Sequence, residues 1–172
     1  MSTIKSKLLA AAVIGSLVLP LAGTAATYST GSKTATFDVS MKIVADCTIA
    51  AAGMDFGQNQ GILTTALTAS SNISVTCTNT TPYNVGLSAG NGTGSTTAAR
   101  LMSGTGGNTS TVAFNLNMTA GGGNWGNTQG TDTRSGTGSG AAQTLTVYGQ
   151  IPAQPTPQPD TYKSTLTVTV YF

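Results

Sequence analysis

The sequence predicts an all-β sandwich, and three observations carry that prediction. Residues 34–44 and 162–172 both alternate apolar and polar side chains with strict period two, the mark of a strand that buries one face. The chain is rich in Thr, Val and Gly and, outside its first residues, has no long stretch with the 3.6-residue period of an amphipathic helix. With those first residues set aside, the length suits one domain around a single core. Aromatic residues are only 6% of the chain, so alternating Val, Ile and Leu must supply that core.

The first residues read as a secretory signal peptide. Lys5 and Lys7 precede an apolar run over residues 8–19, and Ala22, Gly23, Thr24, Ala25 and Ala26 follow, with cleavage expected after Ala25. A membrane-spanning helix needs about 20 apolar residues, and this run is shorter and stops at Pro20. Cleavage leaves five basic residues against five Asp, a formally neutral product. Lys33, Lys42, Arg100, Arg134 and Lys163 are scattered singly, which argues against a nucleic-acid partner, since phosphate binding needs clustered cations. Charged residues are 7% of the chain, so mutual repulsion opposes self-association only weakly.

Taken in order, residues 34–44 place Ala35, Phe37, Val39, Met41 and Ile43 on one face of a strand. No two-residue hairpin turn leads back along it before Cys47, so its partner is distant in the chain or in another molecule. An ordinary first strand of the same sandwich fits the periodicity equally well. Cys47 and Cys77 are the two cysteines of an exported chain, and an oxidising compartment predicts a disulfide. There is no His and no C-x-x-C spacing to build a metal or redox site instead. Short strands are expected at 47–49 and at 54–56, a weaker one at 62–63, and a core strand over 72–78 with Ile73, Val75 and Cys77 inward.

Tyr83, Val85 and Leu87 mark the next strand, entered through Pro82, and residues 90–97 read as a loop. Residues 100–102 are expected as a short edge strand. Val112, Phe114, Leu116 and Met118 predict a core strand. Residues 119–142, dense in Gly, Asn, Thr and Ser, read as a long flexible loop or an irregular hairpin. Trp125 within it is expected to cap the core, with a ligand platform as the rarer alternative. Leu145, Val147, Gly149 and Ile151 mark another strand. Pro152, Pro155, Pro157 and Pro159 then stiffen a connection to the final strand, which runs to Phe172 as a principal core strand with nothing after it to cover its far edge.

An uncovered apolar edge of that length is an aggregation hazard unless a strand from outside fills it. Residues 34–44 have the form to do so. Burying Phe37, Val39, Met41 and Ile43 at about 1.5–3 kcal/mol each amounts to roughly 6–12 kcal/mol before ordering costs.

The segment Val147-Tyr148-Gly149-Gln150-Ile151-Pro152, the proline-rich link and the alternating run from Tyr162 to Phe172 resemble the carboxyl-terminal signature of the spore coat protein U domain. That family includes the archaic chaperone–usher pilins of the Csu type. The likeness extends through the strand before Cys47, Met54-Asp55-Phe56-Gly57, Ile73-Ser74-Val75-Thr76-Cys77 and Trp125-Gly126. The resemblance implies an incomplete immunoglobulin-like sandwich completed by a donated N-terminal strand from the next subunit. It places the donor residues at Phe37, Val39, Met41 and Ile43 and the acceptor groove at Leu166, Val168 and Val170. It divides the chain into a signal peptide (1–25), a donor-strand extension (26–46) and a pilin domain (47–172).

The partners it implies are further copies of the chain in a head-to-tail polymer, a periplasmic pilus chaperone, an outer-membrane usher and a tip adhesin. The product would be a shaft subunit supporting adhesion and biofilm formation, exported through the periplasm to the surface of a Gram-negative bacterium. No cofactor is implied. A catalytic role is disfavoured by the lack of His and Glu and by the dispersal of Asp38, Asp46, Asp55, Asp132 and Asp160. The alternatives are a carbohydrate-binding sandwich using Trp125 and Tyr148, or a spore or cell-coat protein.

Overall fold

The computed structural model describes residues 30–59 and 62–172, and the expected signal peptide lies outside the described residues. The chain divides into two units, residues 1–40 and 41–172. In the first, the described residues 30–40 form neither helix nor strand. The second is all-β: β1 (Cys47–Ala51), β2 (Leu67–Cys77), β3 (Pro82–Leu87), β4 (Arg100–Gly104), β5 (Thr111–Asn117), β6 (Arg134–Thr137), β7 (Gln143–Ile151), β8 (Tyr162–Lys163) and β9 (Val168–Tyr171). A six-stranded sheet runs β1-β2-β7-β5-β4-β8 and a three-stranded sheet runs β6-β3-β9. Every strand pair is antiparallel.

Alternation dictates the core. Ile73, Val75 and Cys77 of β2, Tyr83, Val85 and Leu87 of β3, Val112, Phe114 and Leu116 of β5, and Leu145, Val147 and Ile151 of β7 are all buried. Their polar neighbours face outward, as period two requires. The β1–β2 register sets Cys47 directly opposite Cys77, and the two form a disulfide with their Cα atoms 4.1 Å apart. β2 starts earlier than the sequence predicts, because Ala69 and Ser71 are too small to announce its inward face, yet Leu67 through Val75 pair without interruption along β7.

Several expectations are corrected. No strand forms at 62–63, and none at Met54 and Phe56. Gly57 has φ +76° and the Asp55 carboxylate accepts its N–H at 2.8 Å, so this stretch turns and lays both apolar side chains half-buried on the core. Residues 100–102 pair with β5 alone, as an edge segment does, but they belong to a longer strand, β4, whose continuation at Ser103 and Gly104 also pairs with β8, so the sheet does not end there. Residues 119–142 hold β6, paired to β3, and a turn in which Asp132 accepts the Thr128 N–H (2.6 Å) and its carbonyl accepts the Gly126 N–H (2.8 Å). Trp125 is fully buried, and its indole N–H donates to the Val85 carbonyl at 2.7 Å.

A further correction concerns the last strand. Tyr162 and Lys163 pair with β4 in the large sheet, whereas residues 168–171 pair with β3 in the small one. The chain changes sheets over residues 164–167, so the single strand read from the alternation is two short ones. Its apolar residues Leu166, Val168 and Val170 are half-buried rather than central to the core.

Candidate functional site

The gap left by that change of sheets is an apolar cleft of about 490 Å³. One wall is the segment from Tyr162 to Val168, the other is the stretch from Ala51 to Phe56, and Ile73, Leu116, Phe114 and Val147 form its floor. Among the described residues Lys163 is the only charged residue on its lining. The stretch 51–56 lies close over the sheet because residue 149 is glycine: a Cβ there would run into the Met54 sulfur and come within 2.8 Å of the Phe56 ring.

The wall at 162–168 has one satisfied edge and one open edge. Thr165 N–H donates to Asn91 Oδ1 (2.7 Å), Thr167 N–H donates to Ser88 Oγ (2.8 Å), and the Thr167 carbonyl accepts the Ser88 N–H (3.0 Å). Between them, the backbone groups of Ser164 and Leu166 make no hydrogen bond among the described residues. A run of unpaired backbone groups beside an apolar floor is what an added strand needs. Among the described residues β1 is likewise an outer strand, bonded only to β2, and β9 only to β3.

A buried guanidinium holds this wall in place. Arg100 Nε donates to Ser88 O (3.0 Å), Nη2 to Leu87 O (2.9 Å) and Trp125 O (2.6 Å), and Nη1 to Thr97 O (2.9 Å) and Asn124 Oδ1 (3.2 Å). Burial pushes its pKa down to about 10, and the Asp132 charge acts in the opposite sense. Through Ser88, Arg100 fixes the loop to which Thr167 is tied. Sequence reasoning missed Arg100, Ser88 and Asn91 as supports of the cleft. The one available signal was a lone Arg beginning a short apolar segment.

Of the residues named from the sequence, Leu166 and Val168 line the cleft, while Val170 packs against the core without reaching its lining. Phe37, Val39, Met41 and Ile43 are 86%, 86%, 83% and 73% exposed, and residues 34–44 belong to no strand. Trp125 has no exposed surface and cannot serve as a ligand platform. No group of three or more His, Cys, Asp or Glu that could hold a metal ion occurs among the described residues.

Two antiparallel sheets with an apolar cleft and an unpaired wall define the class: an incomplete immunoglobulin-like β-sandwich. The chain belongs to the Spore Coat Protein U domain family, whose model matches residues 33–169. No curated protein matches it. Among solved structures it is similar to a chain of the CsuC–CsuE chaperone–tip adhesion subunit pre-assembly complex from the archaic chaperone–usher Csu pili of Acinetobacter baumannii. The identity is 23%, the TM-score 0.55, and the match covers 76% of this chain and 40% of that one. This chain thus spans about two fifths of that relative's length. It is also similar to the E. coli Hda pilus minor tip subunit HdaB, at 15% identity and TM-score 0.38 over 73% of this chain and 79% of that one.

Proposed function

We propose that this chain is a structural shaft subunit of a chaperone–usher pilus that polymerises by donor-strand exchange. The observation that carries the reading is the pairing of deficits: an apolar cleft with an unpaired backbone wall, and an exposed stretch with four apolar residues at strand spacing. In this reading residues 26–46 are the donor extension and residues 47–172 the receiving domain. Phe37, Val39, Met41 and Ile43 of one subunit enter the groove of the next, along Leu166, Val168 and Val170.

A periplasmic chaperone first lends the missing strand, and an outer-membrane usher exchanges it for the next subunit's. Head-to-tail donation does not close on itself, so a filament grows, ending in a tip adhesin and supporting surface adhesion and biofilm formation by a Gram-negative bacterium. The subunit has no catalytic task in this scheme.

Moving the donor tests the scheme. A chain beginning at Ala45, with residues 34–44 appended after Phe172 through a short turn, should fill its own groove at high effective concentration. It should be monomeric and should fold without the chaperone. A control in which Phe37, Val39, Met41 and Ile43 exchange places with their polar neighbours presents the wrong face. Size-exclusion chromatography and thermal melts compare the two. If the donor-appended chain still polymerises, or melts no higher than the control, the scheme is wrong.

A further inference from the structure

The outer face of the six-stranded sheet carries a second concavity, remote in sequence from the cleft walls and not used by strand donation. It is a hollow of about 350 Å³, at the small end of the range of about 300–1,000 Å³ usual for ligand pockets. Its floor is two rows of outward side chains set by the strand registers. Ser70, Tyr148 and Asn117 stand side by side across β2, β7 and β5, and Thr68 and Gln150 form the next row. The turn at Ala120 and Gly121 closes one side.

We infer that this hollow is a binding site for a neutral saccharide, a mono- or disaccharide unit. Its chemistry excludes the other common ligands. No charged side chain lines it, so nothing answers a phosphate, a carboxylate or a cation. The only large side chain is a half-buried tyrosine, too little apolar surface for a lipid or a peptide side chain. What remains is one aromatic face, suited to the C–H face of a pyranose, ringed by hydroxyl and amide groups that match sugar hydroxyls in number and polarity.

Those groups are also free to bind. The side chains of Thr68, Ser70, Tyr148 and Gln150 make no hydrogen bond within the protein among the described residues. The Tyr162 and Tyr171 hydroxyls, by contrast, are spent on Gln158 O (2.6 Å) and Asn127 Oδ1 (3.3 Å). Asn117 is buried, and with its amide turned so that oxygen and nitrogen exchange places, the orientation its neighbours call for, the nitrogen donates to Gly122 O (3.2 Å) and Leu116 O (3.3 Å), tying the turn to the sheet on that side of the hollow. Three strands about 4.8 Å apart, and two rows about 6.6 Å apart along them, give a floor wide enough for one or two sugar rings.

The test uses the purified full chain, whatever its assembly state, because the hollow does not depend on strand donation. Saturation-transfer NMR would be run with the methyl glycosides of glucose, galactose, mannose and N-acetylglucosamine and with neutral disaccharides, against a sialoside and a uronate. At least one neutral sugar should bind saturably. Tyr148→Ala should weaken it tenfold or more, while Tyr148→Phe, which keeps the ring, stays within threefold. Since Tyr148→Ala touches a central strand, Ala120→Trp serves as the second variant: it fills the hollow from an exposed turn, and should abolish binding with an unchanged melting curve. Ser74→Ala, on the same sheet face outside the hollow, should bind as the parent does. Absence of saturable binding to every neutral sugar, binding confined to the acidic ones, or undiminished binding by Ala120→Trp would each overturn the inference.

Discussion

Residues 34–44 and strand β7 carry the same message in sequence and meet opposite fates. On β7, Leu145, Val147 and Ile151 are only 7%, 5% and 5% exposed, with β2 hydrogen-bonded along one edge and β5 along the other. Residues 34–44 have the same spacing of apolar side chains, no strand partner, and side chains open to solvent. The segment from Tyr162 to Tyr171 lies between the two: it is paired along one edge only, and its apolar residues are half-buried. Period two declares which face of a chain can be buried. Whether it is buried depends on backbone partners, and those are a property of topology.

The sharpest way to break this comparison is to give residues 34–44 a face that no partner would accept. Val39→Asp places an unpaired carboxylate where an apolar groove would receive it, a strongly disfavoured burial, and should leave few or no fibres by electron microscopy. Ser40→Asp alters the other face of the same strand and should leave near-normal fibres. Equal effects would mean that the alternation has no partner at all.

A smaller effect is expected at the support of the half-paired wall. Arg100→Met removes the donors to Leu87 O, Ser88 O, Thr97 O and Trp125 O. Each buried carbonyl left without a partner costs about 1–3 kcal/mol, and water reaches some of them, so urea unfolding should show a loss of roughly 3–6 kcal/mol. A loss below about 1 kcal/mol would show that Arg100 does not hold the loop that carries Thr167.

The mildest test makes matched truncations in the paired and unpaired stretches. Leu145→Ala should cost about 2–5 kcal/mol in the folded subunit, whereas Ile43→Ala, exposed in the free chain, should stay within about 0.5 kcal/mol. Parity between them in monomer melts would contradict the exposure of residues 34–44.

These fates bound what the sequence could reveal. β3, β5 and β7 were legible because their inward residues are large and alternate without interruption. The disulfide was legible from compartment and count. Trp125 was legible as a cap, since a large apolar surface in a polar segment must be covered, but the turn around it was not: it is held by Asp132 and Gly126, whose bonding is local and carries no period. The split of the last strand was hidden because Leu166, Val168 and Val170 keep their alternation while the backbone changes neighbours from β4 to β3. Arg100 was the deepest omission. A single Arg usually marks solvent, and here the end of β3, the Trp125 turn and the loop before β4 converge to supply four carbonyls that a guanidinium can satisfy together.

The Cys47–Cys77 bond has a mechanical meaning once a subunit is pulled through residues 34–46. Tension entering at Cys47 passes through the sulfur bridge to Cys77, at the end of β2. The 30-residue span between the two half-cystines therefore carries no load, and about 100 Å of contour length is withheld from any extension. The stretch from Ala51 to Phe56, one wall of the cleft, lies inside that shielded span together with β1. A strained fibre could lengthen by unravelling the other wall, where residues 162–171 hold on by short ladders, while the sulfur link keeps β1 seated against β2. Stretching single fibres with and without a thiol reductant would show the withheld length as an added step.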